Sequence, residues 1–336
     1  MNNISNKERF RKIMLRSNMI VSEFFSKWKH FSFSYAIFSS AWWLGWYISP
    51  LKKICYWGFL KKSQYMLKYF NTHFEESIQK YKNIQTQTTT ICTQYRIWVF
   101  WAQGENNMPE LVHICYQNAK KLHGDSLILI TNDNISEYVE IPNYIYDKLK
   151  QGIISYTHFS DILRVSLLAK YGGIWIDATC WLACKIPNYI LTLDIISSNT
   201  KNVTQIPLWS NSRWCAWGIG TNKIKHPYFV FITEMLYKYW EKENYLIDYQ
   251  LIDFLLYLGY SIIPTAKKSI DLLPEINPDR NKLWNLLNLP YDMEQYKAIT
   301  QNTWLFKLSY KSSLQKTING KTTYFGYLNN ISNGQQ

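Results

Sequence analysis

This 336-residue chain has few cysteines, few acidic residues and no long unbroken apolar run, and each shortage narrows what it can be. The six cysteines (Cys55, Cys92, Cys115, Cys180, Cys184, Cys215) are scattered, and only Cys180 and Cys184 lie close together. Without a Cys-x-x-Cys or a second Cys/His pair at finger spacing, neither a zinc finger nor a disulfide framework has support. Free thiols in a reducing compartment are the expectation. No signal-peptide cleavage pattern is expected at the polar start.

Acid is scarce: 24 Asp and Glu face 37 Lys and Arg, a net +13. The surplus is local. Residues 1–90 hold fourteen Lys and Arg against four Glu, a net +10, which leaves +3 for the rest. A basic arm on a near-neutral body points to an anionic partner, membrane or nucleic acid. The body itself lacks the charge of a nucleic-acid binder, and no nucleic-acid partner is expected for it.

The longest uncharged stretch, FSFSYAIFSSAWWLGWYISPL (31–51), is long enough to span a bilayer, but five Ser, a Gly and a Pro make it a poor hydrocarbon span. Trp42, Trp43, Trp46 and Tyr47 prefer the headgroup zone. Three readings stay open: an interfacial helix, a span, or a helix packed on the body.

Aromatics are abundant, at 17% with 15 Trp and 26 Tyr, enough for a sizeable core and for faces that grip rings. QTQTTT (85–90) reads as a linker, so the expected organisation is a basic aromatic helical region (1–90), a main domain (91–325) and a flexible tail (326–336). In the main domain, RIWVFWAQG reads as a buried strand, Pro109 opens a helix to about Leu122, and SLILIT is a second strand. A short helix near 143–151, a brief IISY strand and two helices over 226–260 follow. Alternating strands and helices on short loops predict an α/β fold with a largely parallel sheet. PLWSNSRWCAWGIG (207–220) is a candidate substrate-side loop.

One stretch carries the chemistry: SDILRVSLLAKYGGIWIDAT (160–179). Ser160 reads as the N-cap of a buried helix, with Asp161 in its first turn and Arg164 three residues on, on the same face. Buried charges need partners, and a polyhydroxyl substrate offers both kinds of contact. Gly172-Gly173 stops the helix, and Ile174-Trp175-Ile176 forms a central strand ending at Asp177-Ala178-Thr179. Asp177 and Thr179 point to one side where the strand still extends. They lie at the carboxyl end, where open α/β sheets bind ligands, and suit a divalent cation held against a diphosphate.

These runs, S-D-I-L-R and Y-G-G-I-W-I-D-A-T, closely resemble the capsular polysaccharide synthesis branch of sugar-nucleotide-dependent glycosyltransferases. That branch is related to the α-mannosyl- and α-galactosyltransferases with a DXD motif and, more distantly, to the glucosylating clostridial toxins. The resemblance covers about residues 95–260, with a weaker echo in KLSYK (307–311). It implies a GT-A-like, Rossmann-type mixed sheet with flanking helices, beside the N-terminal membrane-associated helices. It also implies transfer of a hexose or related sugar, with retention, from a UDP-linked or similar nucleotide-sugar donor. The acceptor would be a lipid-linked or oligosaccharide glycan of capsule or lipopolysaccharide. By this resemblance Asp161 and Arg164 would contact donor hydroxyls, Asp177 would stand for the first DXD aspartate, and Trp101 would stack on the base. Mn2+ or Mg2+ would sit on Asp177 and Thr179, weakly, because Thr179 replaces a carboxylate. In a metal-independent mode Lys307 would stabilise the leaving diphosphate.

On the acceptor side stand Tyr249 and Asp253, four apart on an expected helix that also holds Asp248, and His158, although lone histidines are more often structural. Cys180 and Cys184 are expected to pack beneath the Asp-Ala-Thr loop. The expected location is cytoplasmic, peripheral at the inner membrane face through residues 1–90. Two other classes remain: a non-catalytic membrane- or nucleic-acid-binding module, and a degenerate transferase kept as scaffold. Asn202-Val203-Thr204 matches a glycosylation pattern that means little in such a chain.

Overall fold

The computed structural model describes residues 6–47, 51–84, 90–200 and 207–334. The chain opens with helices α1 (Asn6–His30), α2 (Phe33–Tyr47), α3 (Lys52–His73) and α4 (Glu75–Lys82). There follow β1 (Thr90–Ile91), β2 (Ile97–Phe100), α5 (Glu110–His123), β3 (Leu127–Ile130), α6 (Ile135–Tyr138), α7 (Asn143–Lys150), α8 (Tyr156–Tyr171) and β4 (Gly173–Ile176). Next come β5 (Cys180–Leu182), α9 (Asn188–Leu191), β6 (Ile196–Ser197), β7 (Gly218–Thr221), β8 (Lys223–Ile224), α10 (Pro227–Lys242), α11 (Leu251–Ile262) and α12 (Pro264–Asp271). The last elements are α13 (Lys282–Leu286), α14 (Met293–Thr300), β9 (Leu305–Lys307), β10 (Thr317–Ile318), β11 (Lys321–Thr322) and α15 (Tyr324–Ser332).

Among the described residues the main sheet has five strands in the order β3-β2-β4-β7-β6. β2 is parallel to β3 and β4, whereas β7 runs antiparallel to β4 and to β6, so the sheet is mixed, as the resemblance implied, and not largely parallel as the strand-helix alternation predicted. The strands are apolar on both faces because both are covered. Trp98, Phe100 and Trp175 enter a core shared with α8, α10 and α11, while Ile97, Val99, Ile174 and Ile176 meet Val112, Tyr116 and Ala119 of α5.

The Gly172-Gly173 break is built as expected, with φ of +67° and +88°. A Cβ on Gly173 would lie 2.3 Å from the Arg96 carbonyl oxygen, so only glycine lets β4 enter here beside β2.

Several expectations are corrected. The IISY strand is absent: Ser155, not Ser160, caps α8 by accepting from the His158 N–H, and the helix starts at Tyr156. Ser160 lies inside the helix, donating to the Thr157 carbonyl, so Asp161 is in the second turn, beyond most of the dipole's reach. Asp248 and Tyr249 precede α11 and do not share a helix with Asp253. The segment from 326 is not a loose tail. Thr323 caps α15, and Tyr324, Phe325 and Leu328 are buried against Leu111, Ile114 and Cys115 of α5.

The N-terminal helices are no detached arm either. Met66 and Phe70 of α3 and Ile78 and Tyr81 of α4 belong to the same core as α10 and α11. Within the 31–51 stretch, Tyr35, Ala36, Ala41 and Trp42 are buried, and among the described residues no helix is long and apolar enough to cross a membrane. The linker residues 85–89 and Asn202-Val203-Thr204 lie outside the described residues.

Candidate active site

Parallel pairing brings the carboxyl ends of β2 and β4 side by side, and a cavity of about 720 Å³ opens there. Trp101 follows β2, and Asp177, Ala178 and Thr179 follow β4; all four line it. From the far end of the chain, β9 pairs antiparallel with β5 and sets Lys307 opposite Cys180, three residues past Asp177. Asn277, held at φ +55°, anchors β9 by accepting from the Trp304 and Leu305 N–H groups. Such side-chain replacement of ladder bonds is a common use of Asn in turns.

From the cavity wall inward runs a chain of alternating charges. Arg164 Nη1 lies 2.5 Å from Asp161 Oδ1, and Nη2 lies 3.0 Å from Asp177 Oδ1. Asp177 Oδ1 also accepts from the Trp175 indole at 2.9 Å, and Oδ2 lies 2.5 Å from Lys307 Nζ. The Trp175 ring lies beneath the Arg164 guanidinium, 5.0 Å from centroid to carbon. Burial opposes the charge on Asp177, but Lys307 and Arg164 outweigh it and hold the carboxyl at about 2. Asp161 goes the other way: burial pushes it up to about 7 against the pull of Arg164. The two acids are thus held in different protonation regimes by environment alone.

Asp161 and Arg164 are only 9% and 4% exposed and stand behind Asp177, not on the cavity surface. In this arrangement they orient Asp177 and do not reach the cavity. Tyr249 does line the cavity, and the His158 ring supports it edge-on at 5.6 Å. Asp253 does not line it; the Trp214 indole donates to it at 3.3 Å, and burial raises it to about 6. No residue of the 207–220 loop lines the cavity, and its Trp209 and Trp214 are buried. Cys180 is buried below the loop as expected, whereas Cys184 is exposed.

The sequence reading missed Trp175, whose side chain shares a strand side with Asp177 by the same period that linked Asp177 to Thr179. It also missed Lys311 and Tyr310, which line the cavity with Lys307. Their signal lay in the KLSYK run already noted.

Both oxygens of Asp177 are taken by cationic or N–H donors, and Thr179 offers only a hydroxyl. Among the described residues no three His, Cys, Asp or Glu side chains gather as a metal site. A hard divalent cation needs several open oxygen ligands, so the residues as arranged, with Lys307 Nζ on Asp177 Oδ2, do not fit Mn2+ or Mg2+.

A mixed sheet covered on both faces, with this charge chain at the carboxyl ends of its parallel strands, fits a glycosyltransferase-like α/β protein. The chain belongs to the capsular polysaccharide synthesis protein family, whose model matches residues 53–328. A 102-residue stretch is 30% identical to O-glycosyltransferase braB of Annulohypoxylon truncatum, covering 27% of this chain and 24% of that protein. The chain therefore matches about a quarter of the length of that curated relative. A solved transferase mutant aligns over 64% of this chain and 96% of its own, at 13% identity and a TM-score of 0.29.

Proposed function

We propose that this protein is a GT-A-type glycosyltransferase that moves a hexose or related sugar from a nucleotide donor, UDP-linked, to a glycan of capsule or lipopolysaccharide. The observation that carries this reading is the Asp161–Arg164–Asp177–Lys307 chain at the end of the parallel strands. Trp101 offers a stacking face for the base, and Lys307 and Lys311 offer cations to the diphosphate. In the step, the bond from the anomeric carbon to the phosphate oxygen breaks, and its electron pair leaves on the diphosphate. The acceptor hydroxyl oxygen bonds to that carbon, on the retained face, and its proton passes to a diphosphate oxygen. Charge developing on the leaving group is what Lys307 answers, a preorganised electrostatic contribution. Asp177 holds Lys307 in place and, through its own charge, keeps it protonated.

The acceptor would enter past Tyr249. Its lipid carrier would be met by the N-terminal helices, where Phe25, Trp28, Phe33, Ile54, Trp57 and Leu60 are 43–57% exposed. Basic residues interleave with this face, as Lys53, Trp57 and Lys61 follow one another at helical spacing on α3. The protein would work at the cytoplasmic face of an anionic membrane.

The test is donor hydrolysis with UDP-, GDP- and CMP-sugars, in Mn2+, Mg2+ or EDTA, beside Asp177→Ala. One donor turning over, in EDTA as in metal, and failing in the variant is the expected result. Turnover that needs added metal would overturn the Lys307 assignment. No turnover and no nucleotide binding would overturn the transferase reading.

A further inference from the structure

A second charge pair lies outside the cavity, between the N-terminal helices and the body. Lys62 of α3 is fully buried, and its Nζ lies 3.0 Å from Asp248 Oδ2, itself 1% exposed. The pair is poorly aligned as a hydrogen bond, so the ammonium relies on its surroundings as well. These are two indole faces, Trp42 at 3.7 Å and Trp209 at 4.5 Å. A lysine fully out of water is costly unless so compensated, and burial lowers Lys62 to about 8 even with Asp248 beside it.

The place of Asp248 in the fold gives the pair a consequence. It is the residue before Tyr249, which forms the cavity wall. Its Oδ1 accepts from the Gln250 N–H at 2.9 Å, and its carbonyl accepts from the Leu251 N–H at 3.1 Å. On the other side, the Tyr35 hydroxyl of α2 donates to the Ile247 carbonyl at 2.9 Å. The backbone on both sides of Tyr249 is thus bonded; of the N-terminal groups, Tyr35 holds the Ile247 carbonyl and Lys62 the Asp248 carboxylate.

We propose that Lys62 and Asp248 are positioning residues that fix Tyr249 in the cavity wall, so that the N-terminal helices are a working part of the site. The pair does not touch the cavity; it acts through Tyr249. The effect on turnover rests on the glycosyltransferase reading above, whereas the positioning does not.

The test uses the full chain carrying Lys62→Met together with Asp248→Asn, which removes both charges and avoids stranding one in the core. Hydrogen exchange over residues 245–251 is read beside donor turnover with acceptor, and the same two changes are combined with Tyr249→Ala. The expected result is exchange at 245–251 faster by about tenfold with α8 unchanged. The turnover number should fall about tenfold with little change in donor KM. In a Tyr249→Ala background the two charge changes should then cost nothing more, because a pair that acts only through Tyr249 has nothing left to position. Unchanged exchange at 245–251 would overturn the inference whatever the activity. So would losses that multiply with Tyr249→Ala, which would show that the pair acts elsewhere. If the parent protein uses no donor, the transferase reading fails while the exchange measurement still decides the positioning.

Discussion

At the scale of single residues, Asp177 is the hub of the proposed site, because three donors converge on it. Lys307 is the cation among them that also faces the cavity, beside the Trp175 ring. Replacing it by Gln should cut the turnover number by about 100-fold or more, on the scale seen when one preorganised transition-state donor is removed. The donor KM should move far less. Steady-state kinetics on the variant checks this, and equal losses in both parameters would mean a binding role only.

Asp161 makes a separate prediction about pH. Its carboxyl is raised to about 7, so the folded state keeps a proton that the unfolded chain releases near 3.8. The stabilisation is complete below about 4 and is lost as pH rises through about 7. Asp177, depressed to about 2, works oppositely: its contribution is present above about 4 and fades as pH falls toward 2. Urea titrations from pH 4 to 7 should therefore show parent stability declining more steeply than that of Asp161→Asn. Asp253, raised to about 6, keeps a smaller slope of the same sign in both proteins.

Among elements, the α8–β4 junction decides whether the site forms. A methyl on Gly173 would meet the Arg96 carbonyl oxygen at 2.3 Å, with φ already at +88°. Gly173→Ala should destabilise the fold by about 2–4 kcal/mol, the sum of backbone strain and a forced shift of β2 from β4. Denaturant unfolding measures it, and a loss under 1 kcal/mol would show that the two strands separate easily.

This junction was readable in advance because its signals are local: an apolar helix, two glycines and an apolar strand ending in acid. The start of α8 was not, since Ser155 and Ser160 are equally good caps and only burial of Phe159 and the bond to His158 separate them. The C-terminal third was harder still. Its strands are two or three residues long, too short for a period to show, and α15 announces itself only by what it covers on α5. Lys307 was found by its resemblance to a short run, while the Lys62–Asp248 pairing left no trace, because a pairing between distant residues has no periodicity to read.

For the whole molecule, the exposed aromatic and basic face of α1–α3 predicts attachment to vesicles of anionic lipid. Binding should weaken when Trp28 and Trp57 are both replaced by Ser, and should fall with salt as surface charge is screened. Flotation with neutral and anionic vesicles checks this. Equal binding to both would assign the contact to apolar insertion alone.

The pairing of β5 with β9 has a further consequence in time. A ribosome adds about 5–20 residues per second, so the 130 positions between Asp177 and Lys307 take on the order of ten seconds to emerge. Throughout that interval the carboxylate has Arg164 and Trp175 but not the cation that faces the cavity. The nascent chain holds its acid before its cation, and the proposed site cannot be completed until residue 307 has emerged.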